Sequence, residues 1–379
     1  MRNKICIITV MCALILTVLG LNHHYTNIVS AQEIYSCASG MVVLEGNTNT
    51  VLYESNKDMR LPMASTTKII TAIVAIENCN DLDKKFRVSD KSIGIEGTSI
   101  YLKNGEELTM RELLYGLILA SGNDCAVAIA EYFESVETFI NMMNDLCTKL
   151  NLKNTHFDNP HGLDSDSHYT SAYDLAVMTS YALKNDTFRE IVSTKRMVID
   201  STGLYQARYL KHKNRLLFED DNCIGVKTGF TDNAGRCLVN AYDDGGMQVI
   251  SVVLNCQPMF EECKRLTELA YDNYIMKEFV TPYNFVSDIE IMDSNKTEVG
   301  VITISGYSRP ILISEENNYK VKYNIPNKLY APIGLNEVVG TVEVYYNDEL
   351  IYQDDLITIE NADNNNLKYL FDNIIEKWF

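Results

Sequence analysis

Basic residues are scarce in this chain relative to acidic ones. Its 379 residues contain 33 Lys and Arg against 51 Asp and Glu, which gives a formal net charge of -18. Binding to nucleic-acid phosphates requires clustered Lys and Arg, and the sequence has no such cluster. The composition therefore speaks against a nucleic-acid partner. The apolar share of 46% is ordinary for a soluble globular protein, and the length allows two or three domains.

Metal-binding motifs are missing as well. Neither C-x-x-C nor H-E-x-x-H occurs, so we predict no structural metal and no cofactor. The ten cysteines show no close-spaced disulfide framework, and two of them, Cys6 and Cys12, lie in the N-terminal apolar segment. Cys125 and Cys237 lie within apolar runs, where a free thiol packs like a small hydrophobic side chain.

The N-terminal segment has the pattern of a secretory signal. Arg2 and Lys4 precede an apolar run over residues 5–21, and the polar stretch that follows ends in the small residues Ser30 and Ala31. We predict cleavage after Ala31. An uncleaved membrane anchor is the alternative, because the apolar run is nearly long enough to span a bilayer. In both cases the rest of the chain works outside the cytoplasm.

Hydrophobic periodicity predicts an α+β fold for the central part of the chain. Residues 40–56 have the pattern of a β-hairpin, and two strands further along are joined by the Asp-Asp-Gly-Gly turn at 243–246. Helical spacing runs over residues 66–78, 136–150 and 261–279, and one further helix begins near Ser171. Helices placed between early and late strands indicate an antiparallel sheet with helical layers.

The C-terminal part of the chain has a different sequence pattern. Short alternating strands separated by Gly, Pro, Asn and Asp predict a small β-sandwich over residues 281–360. The tail, residues 361–379, places six apolar side chains on one face of a helix: Leu367, Leu370, Phe371, Ile374, Ile375 and Trp378. We predict that this amphipathic helix associates with a membrane; packing on its own domain is the alternative.

An unusual polar stretch begins the first predicted helix. Ser65 lies where an N-cap residue belongs, just before a buried-looking apolar run, so a capped helix is one interpretation. Lys68 follows three residues later and therefore lies on the same face of the first turn. A lysine at this spacing can take a proton from the serine hydroxyl, which makes Ser65 a candidate nucleophile.

Two further motifs decide between these interpretations. Ser121-Gly122-Asn123 interrupts two apolar helical runs, and Lys227-Thr228-Gly229 lies in a strand. S-x-x-K, S-x-N and K-T-G in this order are a strong signal for penicillin-binding proteins and serine β-lactamases. The sequence resembles in particular the low-molecular-mass penicillin-binding proteins, the D-alanyl-D-alanine carboxypeptidases of peptidase family S11. The resemblance is based on six stretches of sequence: ASTTKIITA, LLYGLILASGNDCAVAIAE, NPHGLD, HYTSAYDLA, GVKTGFTDNAGRCLV and LYAPIGLNEVVGTVEV.

The resemblance implies a fold, a reaction and partners. The implied fold is a serine β-lactamase-like domain, here residues 32–280, followed by the β-sandwich and a tail that attaches the enzyme to the outer face of the membrane. The implied reaction removes the terminal D-alanine from peptidoglycan pentapeptide stems through an acyl-enzyme, which limits cross-linking. β-Lactam antibiotics would be covalent inhibitors.

Chemistry assigns a role to each motif residue. Ser65 is the nucleophile and Lys68 the proton acceptor, which requires a neutral amine favoured by burial and by the nearby cation Lys227. Ser121 relays a proton to the leaving D-alanine, and Asn123 holds the substrate amide and the Lys68 amine. The substrate-binding residues are Lys227, Thr228 and Gly229, and backbone N–H groups, including that of Ser65, form the oxyanion hole.

Four other polar residues are given structural roles. Asp124 is predicted to be a helix N-cap. His161 and His168 are interpreted as loop-shaping residues, since Lys68 already supplies the base. Asp174 is also assigned to structure.

The sequence departs from the family pattern at one place. Many members carry an arginine where a helix follows the strand VISVVL, whereas this chain has Pro258, Met259 and Phe260. If that arginine docks the substrate carboxylate, then either Lys227 and Thr228 contribute more to carboxylate binding here or the affinity for substrate is lower.

Two rival functions remain. A class A serine β-lactamase requires an E-x-x-L-N motif between the second and third motifs, and none occurs between Ser121 and Lys227. A catalytically silent wall scaffold would be expected to have lost a nucleophile or base, yet all three motifs are intact.

Overall fold

The structure is a computed structural model that describes residues 32–201, 205–365, 371, 374 and 375. The described residues divide into two compact units. The first contains residues 32–277 and 309–314, and the second contains residues 278–308 and the described residues from 315 onward. The predicted signal segment lies outside the described residues.

Eight α-helices are described in the first unit, and side chains cap the N-terminus of four of them. Thr109 accepts a hydrogen bond from the backbone N–H of Glu112 while the Glu112 carboxylate accepts from Thr109, a capping box, and Ser135 and Ser171 cap two later helices. The helices are α1 (Lys68–Asn78), α2 (Met110–Tyr115), α3 (Asn123–Tyr132), α4 (Val136–Lys149), α5 (Ala172–Leu183), α6 (Asp186–Ser193), α7 (Leu216–Glu219) and α8 (Met259–Asn273).

A six-stranded sheet forms the centre of the first unit. In spatial order its strands are β1 (Gln32–Glu33), β3 (Val51–Ser55), β2 (Gly40–Glu45), β10 (Gln248–Leu254), β9 (Gly235–Asp243) and β8 (Cys223–Thr231). All neighbouring pairs are antiparallel except β1 with β3. The antiparallel sheet with helical layers is therefore confirmed.

The sheet has a hydrophobic core on each face, which explains why its central strands are predominantly apolar. Along β2, Val42 and Leu44 pack in one core, whereas Met41 and Val43 pack in the other. Successive strand residues point to opposite faces, so a strand covered on both sides carries apolar residues at consecutive positions instead of alternating ones. Helices α1 to α6 contribute to the first core and α8 to the second.

Short strand pairs complete the first unit. One consists of β4 (Lys85–Arg87) and β5 (Glu107–Thr109), and another of β6 (Arg196–Ile199) and β7 (Arg208–Lys211). The sequence prediction was wrong at the end of α8, which stops at Asn273 instead of continuing to residue 279. Residues Tyr274–Val280 form strand β11, which pairs with β14 (Tyr307–Leu312).

The second unit consists mainly of β-strands, as the sequence predicts. Six of its strands are hydrogen-bonded in the order β15 (Tyr319–Asn324), β17 (Val338–Tyr346), β18 (Glu349–Thr358), β13 (Glu298–Thr303), β12 (Phe285–Met292) and β16 (Lys328–Tyr330). Its core contains Ile289, Val301, Val342 and Leu356.

The tail falls almost entirely outside the described residues. Phe371, Ile374 and Ile375 are helical, and each side chain is more than half exposed. Within the described part of the chain, no helix is both long enough and apolar enough to cross a membrane.

A buried ion pair fixes the loop at residues 99–106. The Glu106 carboxylate is fully buried and accepts two hydrogen bonds from the guanidinium of Arg208, at 2.5 and 2.8 Å. The same guanidinium donates to the backbone carbonyls of Ile100 and Tyr101, at 2.7 and 3.1 Å. Strand β7 therefore holds the loop through one side chain.

Replacing Arg208 with alanine should destabilise the protein strongly. The substitution leaves the Glu106 carboxylate buried without its cation, which costs about 3–5 kcal/mol. Arg87→Ala is the matched control, because the Arg87–Glu107 pair is 78% and 52% exposed and should contribute at most about 1 kcal/mol. Urea denaturation followed by circular dichroism measures both variants, and equal losses of stability would contradict this account.

Candidate active site

Ser65 lies in a tight turn at the start of α1. Residues Ala64–Thr67 form one turn of 3-10 helix that continues directly into α1, and no side chain caps either segment. The Ser65 hydroxyl oxygen instead accepts a hydrogen bond from Nζ of Lys68 at 3.0 Å. The alternative of Ser65 as a helix cap is therefore wrong, and serine and lysine meet as their spacing predicts.

The amine of Lys68 is held by three segments of the chain. Lys68 is fully buried, and besides Ser65 its Nζ donates to Oδ1 of Asn123 at 2.7 Å and to the carbonyl oxygen of His161 at 2.5 Å. A hydroxyl, an amide and a carbonyl are all neutral acceptors. They orient the amine toward Ser65 without providing a full negative charge to stabilise an ammonium.

This environment lowers the pKa of Lys68 to about 7. Burial is the largest cause, because a charged amine loses its hydration, and the positive charge of Lys213 lowers the pKa further. Lys227, the nearby cation expected from the sequence, also interacts with Lys68, since the charge of Lys68 lowers the pKa of Lys227. Near neutral pH a large fraction of Lys68 is unprotonated and can accept a proton.

The second motif lies in a bend between two helical segments. A π-helical turn, Gly116–Ala120, ends at Ser121, whose backbone is left-handed with φ of 64°. This conformation stops the helix and exposes the Ser121 side chain to the cleft. Asn123 then begins α3, and its Nδ2 donates to the carbonyl of Glu96 at 2.6 Å. That hydrogen bond orients Oδ1 of Asn123 toward Lys68.

The third motif lies on β8, directly beside the Ser65 turn. A Cβ atom added at Gly229 would lie 2.9 Å from the carbonyl oxygen of Met63 and 3.1 Å from the backbone nitrogen of Ser65. Only glycine allows this approach of the two backbones. Lys227 is fully buried, its Nζ donates to the carbonyl of Thr228 at 2.9 Å, and burial followed by the charges of Lys68 and Lys213 holds its pKa well below the usual value.

The backbone at Gly162, next to the His161 carbonyl, also lies very close to the Ser65 turn. Gly162 has φ of +93°, and a Cβ atom there would lie 2.0 Å from the carbonyl oxygen of Ala64. No side chain fits at this position. The loop that supplies the third acceptor of Lys68 is therefore packed directly against the backbone of the Ser65 turn.

These segments enclose an open cleft of about 370 Å³. Its lining includes Ser65, Ser121, Thr228 and Gly229, so residues of all three motifs face one space. The remaining lining residues come from outside the motifs: Thr98, Lys213, Phe230, Arg236, Met259 and Phe260. Among the residues with described positions, no group of His, Cys, Asp and Glu side chains could hold a metal ion.

The histidines are held within loops. His168 is hydrogen-bonded to Thr67 Oγ1 at 2.8 Å and accepts from the backbone N–H of Asp158 at 3.0 Å. Burial lowers the pKa of His168 to about 4 and that of His161 to about 3, so both rings are neutral at pH 7. Both histidines occupy the loop-shaping positions that the sequence analysis describes.

Asp124 is not the helix N-cap that the sequence predicts. The N-cap of α3 is Gly122, so Asp124 lies inside the first turn of the helix. Its carboxylate accepts hydrogen bonds from the backbone N–H groups of Ile100 and Leu102 and from the hydroxyl of Ser99. Asp124 therefore anchors the neighbouring loop on α3, beside Asn123.

Sequence reasoning missed Lys213 and Arg236. Lys213 donates to Thr98 Oγ1 at 3.4 Å, and burial lowers its pKa. Neither residue belongs to one of the three motifs, and only the pairing of strands and the folding of the 205–215 segment bring them to the cleft. The one signal in the sequence for Arg236 is its position in the strand that follows the K-T-G strand.

The Ser65 hydroxyl contacts the buried amine of Lys68, a fraction of which is unprotonated, and both lie beside the edge strand β8. This arrangement is that of a serine acyl-transfer enzyme. The comparisons with known proteins agree with this class. The family model for D-alanyl-D-alanine carboxypeptidase, Peptidase S11, matches residues 26–258, and that for the C-terminal domain of penicillin-binding protein 5 matches residues 276–364.

Individual relatives extend over most of the chain. The D-alanyl-D-alanine carboxypeptidase DacF of Bacillus subtilis is 32% identical over 323 residues, which is 82% of each protein. DacA of Escherichia coli is 32% identical over 324 residues, covering 80% of this chain and 78% of the relative. The crystal structure of penicillin-binding protein 6B from Escherichia coli has a TM-score of 0.71 at 26% identity, covering 89% of this chain and 100% of that one.

The chain belongs to the Peptidase S11 family of D-alanyl-D-alanine carboxypeptidases. The resemblance inferred from the three motifs is thereby confirmed, as is the fold of a penicillin-binding domain followed by a β-sandwich domain. The C-terminal amphipathic helix is not covered by these matches.

The pH dependence of acylation should follow the titration of Lys68. Because the amine is reactive only when unprotonated, the rate of acylation by benzylpenicillin should rise with pH, with a midpoint near the Lys68 pKa of about 7. Lys68→Arg keeps the positive charge but cannot lose its proton, so it should be slowed by about 10²–10⁴-fold, like Lys68→Ala. Stopped-flow acylation across pH 5–9 provides the measurement. Wild-type rates in the arginine variant would show that Lys68 acts only through its charge.

Proposed function

We propose that this protein is a serine-type D-alanyl-D-alanine carboxypeptidase that acts on peptidoglycan pentapeptide stems. The observation that carries the proposal is the hydrogen bond between Ser65 Oγ and a buried Lys68 amine beside the K-T-G strand. Membership in the family supports the substrate, since its members are named for this reaction. The same site would bind β-lactam antibiotics covalently.

The proposed reaction begins with proton transfer from Ser65 to Lys68. The Ser65 oxygen attacks the carbonyl carbon of the penultimate D-alanine, and backbone N–H groups that include Ser65's own stabilise the oxyanion. Ser121 passes a proton to the departing amine, so that the terminal D-alanine leaves as a free amino acid. Water then cleaves the ester and restores the Ser65 hydroxyl.

The other motif residues hold the substrate. Asn123 accepts a hydrogen bond from the Lys68 amine, and in the proposed complex it would also bond the substrate amide. Thr228 and the backbone at Gly229 line the cleft along an open strand edge, to which an extended peptide can add as a further strand. Lys227, whose amine donates a hydrogen bond to the carbonyl of Thr228, would attract the terminal carboxylate of the substrate.

The domain organisation completes the proposal. Residues 1–31 are a signal peptide, 32–280 the peptidase domain, 281–360 the β-sandwich and 361–379 a membrane-associating tail. The family matches at 26–258 and 276–364 and the division of the chain near residue 278 support the two central boundaries. The enzyme would work outside the cytoplasm, on the outer face of the cell membrane or secreted.

Release of D-alanine tests the function directly. The purified protein without its signal, incubated with a muramyl pentapeptide, should release one D-alanine per peptide, measured with D-amino acid oxidase. A silent scaffold would become acylated by penicillin yet release no D-alanine. A β-lactamase would turn over penicillin rapidly and leave the pentapeptide intact.

Ser65 should carry the acyl group. Intact-mass spectrometry after treatment with benzylpenicillin should show a single adduct on the wild-type protein and none on Ser65→Ala, because alanine has no nucleophilic oxygen. Ser121→Ala is an informative companion, since it removes the other serine hydroxyl that lines the cleft and leaves the nucleophile in place. An adduct that persists in Ser65→Ala would refute the assignment.

The tail should bind membranes through apolar contacts. A buried large side chain contributes roughly 1.5–3 kcal/mol, so partial insertion of six apolar residues is enough to hold the protein at a bilayer. The tail carries little positive charge, so binding should persist at high salt. Co-sedimentation with liposomes, with and without residues 361–379, measures this. Equal partitioning of the two proteins would mean that the tail packs on its own domain.

A further inference from the structure

Two cysteines that are far apart in the sequence meet at one end of the central sheet. In the pairing of β2 with β10, Gly40 lies opposite Leu254. Cys37 precedes Gly40 and Cys256 follows Leu254 by a few residues, so both cysteines lie just beyond the same end of this strand pair. Neighbouring strands are about 4.8 Å apart, so residues beyond a paired end remain within reach of one another.

Hydrogen bonds hold the two segments together between the sheet and the cysteines. The backbone N–H of Ser39 donates to the carbonyl of Leu254 at 3.0 Å, and Nδ2 of Asn255 donates to Ser39 Oγ at 2.9 Å. The N–H of Cys256 donates to the carbonyl of Arg236 at 2.8 Å, which fixes this residue on β9 as well. The segments that carry the cysteines therefore have defined positions on the sheet.

The first turns of α8 hold the segment around Cys37 from the other side. Ser36 Oγ donates to Oε1 of Glu262 at 2.7 Å, and the backbone of Cys37 is hydrogen-bonded to the same carboxylate. The guanidinium of Arg265 donates to the carbonyl of Tyr35 at 3.2 Å and to Glu262. Cys37 is thereby placed between the end of the sheet and the start of α8, just after the residues that precede this helix.

The two side chains are in contact and differ in accessibility. Both are free thiols in the structure, and the Cys256 thiol is hydrogen-bonded to that of Cys37. Cys256 is buried, whereas Cys37 is the exposed one among the cysteines in the described ranges. The neighbouring Cys263 is fully buried and its sulfur lies 3.9 Å from the carbonyl oxygen of Ser251. A reagent in solution can therefore reach Cys37, and Cys256 is the thiol in contact with it.

We propose that Cys37 and Cys256 form a disulfide bond when the protein meets a low-molecular-mass disulfide. The Cys37 thiolate attacks one sulfur of the reagent, forms a mixed disulfide and releases the first thiol. Cys256 loses its proton and attacks the Cys37 sulfur, and the second thiol leaves. Two protein thiols are oxidised to one disulfide, and the reagent is reduced to two thiols. Placement outside the cytoplasm, as proposed above, provides conditions in which such a bond persists.

The bond would connect the N-terminal segment covalently to the turn in front of α8. Met259 and Phe260, the first residues of that helix, line the active-site cleft, so the bond would also hold this wall of the cleft. Closing a loop that spans residues 37–256 restricts the unfolded chain, which favours the folded state. The oxidised protein should therefore be more resistant to heat than the reduced protein.

Mass spectrometry tests whether the bond forms. After treatment with glutathione disulfide, the intact protein should lose two hydrogen atoms, and a digest without reduction should contain the Cys37 and Cys256 peptides joined. Cys37→Ser should abolish the joined peptides, and in Cys256→Ser the reaction should stop at a glutathione adduct on Cys37. Cys79→Ser, which removes a partly exposed cysteine elsewhere, is the matched control and should leave the bond intact. A stable glutathione adduct on Cys37 of the wild-type protein, or a bond from Cys37 to Cys263, would overturn the proposal.

Thermal unfolding tests the effect of the bond. The oxidised wild-type protein should have a Tm roughly 5–15 °C higher than the protein reduced with dithiothreitol. Cys37→Ser should have the same Tm with and without reductant, because its exposed side chain contributes little to packing and no bond can form. An unchanged Tm in the cross-linked wild-type protein would refute the stabilising role. Neither measurement requires enzyme activity, so failure of the proposed carboxypeptidase function would leave both results interpretable.

Discussion

A buried lysine amine that is bonded only to neutral acceptors is the constraint on which the rest of the site depends. Transfer of an ammonium group from water into a protein interior costs several kcal/mol, so the position favours the neutral amine that proton abstraction requires. Lys68 meets a hydroxyl, an amide and a carbonyl from three separate segments. The helical bend, the loop at residues 158–162 and the first turn of α1 must all be in place before the amine is correctly held.

The basic residues of the site differ in pKa according to their burial. The lysines with lowered pKa values lie inside the cleft, and the arginine lies at its exposed edge. Lys68, Lys213 and Lys227 are close enough that the charges of Lys68 and Lys213 lower the pKa of Lys227, and each of the three is also affected by burial. Arg236 lies at the more exposed margin, where a permanent charge costs little. Burial in the interior of the cleft therefore favours neutral amines that can accept a proton, whereas a permanent charge is tolerated at its margin.

The sequence predicted the elements of the fold and the three motifs, because both are encoded by short-range patterns. Apolar spacing located α1, α4, α5 and the strands of the central sheet, and Gly122 with Asn123 located the bend. Long-range effects were missed. The helical pattern of α8 continues past Asn273, where pairing with Tyr307–Leu312 makes strand β11 the better conformation. The sequence alone predicts that Asp124 is a helix cap, because its hydrogen bonds to a distant loop are visible only in the structure. The position of Arg236 in the cleft depends on the register between β8 and β9.

Because no side chain fits at Gly162, amino-acid substitutions are restricted on this side of the cleft. The loop behind the nucleophile touches the backbone of Ala64 so closely that the two segments form a single rigid inner wall. Any residue change that widened that wall would also displace Ser65. Phe230 and Phe260 line the cleft outside this contact between backbones. Descendants of this sequence with new substrate preferences should therefore differ at the outer wall, while the inner wall remains the same.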